Sequence, residues 1–185
     1  DTKDRLREVV SPDGTRVRFT YDAFGRRVRK DVLPAADLSG LFGATSSENK
    51  SIAEKKTVSF LWDGDVLCEE IDSSKTEDAR KRIHVHEPGT FVPMLQVEQG
   101  QLFGVVNDHL GMPKELVDSA GRIAWRAQHS AWGNVVAVNR DERAVIVESP
   151  FRLVGQYADA ETGLCYTRFR YFEAGTGRWL SADPL

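Results

Sequence analysis

The residues with the most chemistry to offer are the acids of the last third of the chain. Asp159, Glu173 and Asp183 all fall at turn-like positions. From spacing alone each reads first as a turn residue, because a carboxylate there accepts a backbone N–H nearby. Brought together in pairs, carboxylates do something else. Two held close cannot both ionise cheaply, so their pKa values split; the ionised one takes a proton from water and the neutral one donates to a scissile carbonyl. Arg168, Arg170 and Arg178 stand among these acids. They fit cross-strand salt bridges, or the task of holding carboxylates ionised and polarising a carbonyl.

Other constellations are weaker. His84 and His86 alternate with Ile83 and Val85, so both are expected on the polar, exposed face of a strand. Ligands at i, i+2, joined by His109 or His129, would suit a metal, but an ordinary strand face is the simpler reading. Ser130, His129 and Asp141 make no recognisable triad. No glycine-rich phosphate loop precedes a helix. Trp62, Trp125, Trp132 and Trp179 are expected in the hairpin core rather than stacking on sugars or peptides. No cofactor and no metal are therefore expected.

A chain of 185 residues, 41% apolar and 29% charged, suits one domain with a real core. The net charge of −3 gives no drive toward nucleic acid or anionic lipid, and the arginines are scattered among acids. No run approaches the roughly 20 apolar residues of a membrane span. The charged start, Asp1-Thr2-Lys3-Asp4, has no apolar stretch behind it and does not read as a signal peptide. Cys68 and Cys165 are expected as two buried thiols; one pair is too sparse for a disulfide framework.

The elements that must position these residues read as strands. Ser11-Pro12-Asp13-Gly14 is a turn, and after it Val17, Phe19 and Tyr21 alternate with Arg16, Arg18 and Thr20. Asp22 to Gly25 turns the chain back into Arg26–Val32. Residues 33–56 break the pattern and predict an insertion loop with a short helical turn, protruding and less ordered than its flanks. Val58, Phe60 and Trp62 alternate again, Asp63-Gly64 turns, and Val66–Ile71 returns; residues 73–81 form a second polar loop. Short strands follow through 82–105, near 115–117, at 123–127, within 140–150, near 164–171 and at 178–181. Turns at about every tenth residue argue for an all-β protein of hairpins.

The turns repeat. Asp-x-x-Gly, often followed by Arg, occurs at Asp22–Gly25 with Arg26, at Asp108–Gly111, and at Asp118–Gly121 with Arg122; Asp159–Gly163 and Glu173–Gly177 with Arg178 are one step longer. Asp supports a hairpin corner and Gly takes its left-handed position. Tyr21 and Tyr157, ahead of such corners, are expected to pack on the neighbouring hairpin. No repeat buries its own face, so repeats must stack.

The element Tyr21-Asp22-x-x-Gly25-Arg26 resembles the YD repeat of the Rhs, teneurin and insecticidal-toxin C-component family. Asp108-His109-Leu110-Gly111-Met112-Pro113, then Trp125-Arg126 and Trp132-Gly133, are similar to the Rhs-associated core. So are Gly155-Gln156-Tyr157-Ala158-Asp159-Ala160-Glu161-Thr162-Gly163-Leu164, Arg168-x-Arg170-Tyr171, and the ending Thr176-Gly177-Arg178-Trp179-Leu180-Ser181-Ala182-Asp183-Pro184-Leu185. The resemblance covers nearly the whole chain apart from 33–56. It implies stacked antiparallel hairpins forming a curved, open piece of a shell wall. Residues 1–105 would be the YD-repeat segment and 106–185 the associated core, in one continuous unit.

In that family a long YD-repeat sheet winds into a hollow cocoon around a variable C-terminal toxin. The core closes the shell and carries an intramolecular aspartyl protease that cuts after Asp-Pro-x-Gly-Leu. The resemblance implies Asp159 and Asp183 as the catalytic pair, with folding independent of them. Arg168, Arg170, Arg178 and Glu173 would support them, and Pro184 and Leu185 would lie beside the cut. Glu173 stands where the family usually has Asp; its extra methylene would displace an oxygen by roughly 1 Å, which catalysis tolerates badly. The chain is too short for a whole cocoon and is expected to be a cleavage product or a piece of a larger shell. Implied partners are the toxin of the same gene product, the rest of the shell or a second copy through exposed sheet edges, and a secretion-apparatus component or chaperone. The parent would be made in the bacterial cytoplasm and delivered to a neighbouring cell. A non-catalytic β-shell that docks or encloses a partner is the alternative, and carbohydrate binding a third reading.

Overall fold

The computed structural model describes residues 5–35, 55–74 and 79–183. Eleven strands form one antiparallel meander in chain order. They are β1 (Glu8–Val10), β2 (Arg16–Tyr21), β3 (Arg27–Leu33), β4 (Lys56–Asp63), β5 (Val66–Asp72) and β6 (Arg80–His86), then β7 (Pro93–Glu98), β8 (Gln101–Asn107), β9 (Pro113–Asp118), β10 (Ile123–His129) and β11 (Val135–Asn139). A second antiparallel sheet of four follows: β12 (Tyr157–Asp159), β13 (Leu164–Thr167), β14 (Arg170–Glu173) and β15 (Arg178–Trp179). Among the described residues there is no helix, and β1 and β11 do not pair, so the large sheet is an open wall. The expected insertion lies mostly outside the described residues; its flanks, β3 and β4, pair with Val32 opposite Lys56.

The corners explain the Asp-x-x-Gly-Arg pattern. At Asp22 the N–H donates to the Arg26 carbonyl at 2.9 Å, and the Gly25 N–H donates back to Asp22 at 3.1 Å. Gly25 sits at φ +79°, where a side chain would be strained. The Asp22 carboxylate accepts the Arg26 N–H at 2.8 Å and the Arg26 guanidinium at 2.7 Å. Asp118 does the same with Arg122 at 2.9 and 2.8 Å. The trailing arginine is thus an ion-pair partner of its own corner.

Several corners also leave a β-bulge, an extra residue on the returning strand; those between β7 and β8, β12 and β13, and β14 and β15 do not. Tyr21 pairs with Arg27 and Thr20 with Arg29, so Val28 has no partner. Cys68, Met94 and Lys114 are skipped in the same way on β5, β7 and β9. A bulge resets the alternation, so residues three apart share a face. Arg27 and Lys30, Leu67 and Glu70, Pro93 and Gln96, and Pro113 and Leu116 are all buried pairs of this kind.

The second sheet packs on the buried face of β2–β5. Val17 and Phe19 meet Leu164, Tyr166 and Tyr171; Val58, Phe60 and Leu67 meet Phe151 and Tyr157. At the far end Phe103, Leu116 and Trp125 close around Val147. Residues 140–150, expected to hold a strand, contain none: the chain leaves the sheet edge after β11 and buries Val147 and Ser149 instead. The expected strand at 164–171 is two, joined by a turn that holds Arg168 at φ +42°. Tyr21 and Tyr157 reach the opposite layer rather than the next hairpin, Tyr21 through its hydroxyl to Tyr171 at 2.9 Å and Tyr157 edge-on to Phe60. Trp125 is core, but Trp132 and Trp179 are exposed, because they cap the rim where the two layers end. Cys165 is buried, while Cys68 is only half-buried because the bulge turns it out of the core; both are free.

The rim contact is tight. Gly177 has φ +69°, and a Cβ there would lie 2.8 Å from the Trp132 ring. Gly177→Ala should cost about 2 kcal/mol from backbone strain and overpacking together. The check is a denaturant titration, with faster hydrogen exchange expected across 170–179 and unchanged exchange in β2–β5.

Candidate functional site

Charge is buried where the two sheets meet. On β3 the bulge turns both Arg27 and Lys30 inward, at 1% and 3% exposure. On β12 the two-residue period sends Tyr157 and Asp159 to the same side. The Asp159 side chain is fully buried and ion-paired twice: to the Arg27 guanidinium, and to Lys30 Nζ at 2.9 Å. Lys30 also binds Glu161 at 2.7 Å, and Glu161 in turn binds Lys56 at 2.9 Å.

Arg27 sits in a cage of four rings. Its Cζ lies 5.2 Å from Phe19 and 4.6 Å from Phe60, both of the wall, and 5.1 Å from Tyr157 and 4.5 Å from Tyr166, both of the second sheet. Its backbone N–H donates to the Tyr166 hydroxyl at 3.0 Å and its carbonyl accepts from the Trp62 indole at 2.7 Å. Burial works against a charged guanidinium, but the Asp159 carboxylate outweighs it and keeps Arg27 protonated.

A second network adjoins the first. The Tyr157 hydroxyl donates to Glu70 at 2.6 Å. Glu70 also contacts Arg82 and His84, each at 2.9 Å, and Arg82 holds Glu98 at 2.9 Å. Burial would raise the Glu70 carboxyl, yet His84 and Arg82 hold it well below the usual range. A cavity of about 260 Å³ lies between the networks, lined by Lys30, Lys56, Glu70, Arg82, Glu98 and Arg152 among others.

Burial raises and Lys30 and Lys56 lower the Glu161 carboxyl, with the net effect down to about 2. A depressed carboxyl contributes stability above its unfolded value of 4.5, lost as pH falls through the folded value. At roughly 1.4 kcal/mol per unit, Glu161 should contribute about 3 kcal/mol that disappears between pH 4.5 and 2. Stability measured against pH checks this; Glu161→Gln should flatten that part of the curve.

Asp183 has a different setting from Asp159. It contacts Arg170 at 3.2 Å and its side chain is 70% exposed. No hydrogen bond or ion pair among the described residues joins the two acids. Glu173 lies in the cross-strand row Asp159, Leu164, Glu173, Arg178, and accepts from the Thr176 hydroxyl. Arg178 is at the exposed end of that row. Arg168 bonds Asp65 and the Phe24 carbonyl, which anchors its turn to the wall and takes it away from Asp159. Pro184 and Leu185 lie outside the described residues. The expectation that folding is independent of Asp159 is corrected by its burial: its loss would strand two buried cations.

The histidines are corrected too. His84 is 3% exposed, and both rings pack on Phe151, at 4.6 and 5.2 Å for His84 and His86. The inward face of β6 is polar, and the segment before β12 covers it. Burial, then the neighbouring His84, lower His86 to about 4. Sequence reading missed Arg27, Lys30, Lys56, Glu70 and Glu161; a signal was available for Lys30, in phase with Val28 and Val32, and for Lys56, in phase with Val58 and Phe60.

Comparison with known proteins agrees with this architecture. The family model described as RHS Repeat matches residues 1–33, and the one described as RHS protein matches 105–139. The chain is 32% identical over 206 residues to the Double-stranded DNA deaminase toxin A of Burkholderia cenocepacia (strain H111), covering 100% of this chain and 13% of that protein. It is 33% identical over 208 residues to the toxin protein Tse5 of Pseudomonas aeruginosa, covering 94% of this chain and 14% of the relative. The chain thus spans a small part of each. The TcdB2-TccC3 structure without its hypervariable C-terminal region matches with a TM-score of 0.72 at 23% identity, over 100% of this chain and 9% of that one. A bulged antiparallel wall, a charged seam beneath its terminal sheet and these relatives lead to one conclusion: the chain belongs to the Rhs (YD-repeat) family.

Proposed function

We propose that the chain is the terminal wall of an Rhs shell that encloses a toxin from the same parent protein and releases it by cutting itself beyond Asp183-Pro184-Leu185. The observation that carries this is the docking of the terminal sheet on the wall's buried face through Asp159. Residues 1–105 supply repeat strands and 106–185 the core that turns back on them. The unpaired edge of β1 takes the preceding strands of the shell. The relatives that carry toxin names support a fused toxin as the partner, and the likeness to Tse5 supports delivery to a neighbouring cell by a type VI apparatus.

In the cut, Asp183 leaves its Arg170 contact and meets Asp159. Asp159, placed by its two cationic partners, serves as the base and Asp183 as the acid. Water oxygen bonds to the scissile carbonyl carbon, Asp159 takes a water proton, and Asp183 protonates the carbonyl oxygen. As the C–N bond breaks, the proton on Asp159 passes to the leaving nitrogen and the carbonyl proton returns to Asp183.

A denaturing gel of the purified parent tests this. Two fragments are expected without added protease, one chain for Asp183→Asn, and two again for Glu173→Gln. An uncut wild-type parent would support the non-catalytic shell instead, and loss of cutting in Glu173→Gln alone would move the second acid to that position.

A further inference from the structure

We propose that Arg27 and Lys30 are positioning residues for this self-cleavage, and that the reaction therefore waits until the terminal sheet has docked on the wall. The inference rests on the self-cleavage reading. Both oxygens of Asp159 find their ionic partners outside their own sheet: Lys30 and Arg27 lie 129 and 132 residues earlier in the chain. The aromatic cage around Arg27 is split the same way, two rings from the wall and two from the terminal sheet. An undocked terminal sheet leaves Asp159 as a solvated turn carboxylate with neither cation beside it. Docking supplies both cations, strips the water and fixes the carboxylate. A second contact ties the same strand down, from the Tyr157 hydroxyl to Glu70 of β5. The acid that must accept a proton is thereby assembled from strands whose partner residues lie 129 and 132 positions apart. A parent in which β2–β5 are not yet folded cannot complete it, so docking precedes cutting.

The ionisable groups facing Asp159 are Arg27 and Lys30 of β3, Tyr21 of β2, Tyr157 of its own strand, Cys165 of β13 and Tyr171 of β14. Among the described residues, the cations paired with Asp159 are Lys30 and Arg27. Removing Lys30 should leave the Asp159 carboxylate held by Arg27 alone, less firmly placed, and should slow cutting.

The experiment follows the rate of cleavage of freshly synthesised full-length parent. Lys30→Gln should cut on the order of tenfold more slowly, as a misplaced catalytic group does, and Lys30→Arg, which keeps the ion pair, should restore the rate. Hydrogen exchange across 157–173 reports whether the terminal sheet is docked in each variant. If Lys30→Gln fails to dock, its own cutting decides the matter, because an undocked terminal sheet should leave the parent whole. A wild-type rate in Lys30→Gln overturns the inference, as does cutting by an undocked variant or a failure of Lys30→Arg to restore the rate. Asp183→Asn, run alongside, reports separately on the cleavage reading: if that variant cuts normally, the dyad itself fails, whatever Lys30→Gln does.

Discussion

Arg27→Met is expected to loosen the terminal sheet from the wall and to cost about 3–5 kcal/mol, the usual result of removing one partner of a buried ion pair. Methionine fills much of the space and keeps apolar contact with Phe19, Phe60, Tyr157 and Tyr166. The loss therefore lies in Asp159, left in a dry site with Lys30 alone. Against a domain stability of roughly 5–15 kcal/mol, such a loss is large. Denaturant titration should show it, and hydrogen exchange should rise first across 157–179. Adding Asp159→Leu should recover part of the loss, since an apolar pair in place of both charges strands less charge than one alone. Stability within about 0.5 kcal/mol of wild type in Arg27→Met, the range of an ordinary surface change, would mean the cluster does not hold the sheets together.

Asp183→Asn should give the largest effect on activity: a fall in self-cleavage on the order of 10⁴-fold in the full-length parent, since acids that act as a unit lose most of their catalysis together. Its cost to folding should be small. The Asp183 side chain is 70% exposed, its one ion pair among the described residues is with Arg170, and exposed pairs contribute about 0–1 kcal/mol. The variant thus separates chemistry from folding. Asp159→Asn cannot do so, because it removes the proposed base and also leaves Arg27 and Lys30 buried without their carboxylate. Both variants should be uncut, but only Asp159→Asn should unfold more easily. Cutting at the wild-type rate in Asp183→Asn would remove that residue from the mechanism.

The hairpins were legible because period-2 runs such as Val17, Phe19 and Tyr21 and corners such as Asp22–Gly25 are local signals. The bulges were not. A skipped residue on β3 and on β5 shifts the phase, so strict alternation separates Arg27 from Lys30 and Leu67 from Glu70, yet each pair turns to one buried face. The same phase error hid the partners of Asp159, which stands at a corner like any other and whose burial depends on a strand more than a hundred residues away. His84 was misread for a related reason: a polar strand face suggests solvent, and nothing local announces that Phe151 and Tyr157 will cover it. The catalytic assignment of Asp159 emerged only through the family resemblance, which marks the position but not its surroundings.

The central claim is that the parent cuts itself with its own carboxylates. The most direct measurement is the intact mass of the parent made in a purified cell-free system and followed over time at several dilutions. The account predicts two products with the boundary just beyond Leu185, formed at a rate that does not change on dilution. A single uncut chain, a boundary elsewhere, or a rate that falls with dilution would contradict it.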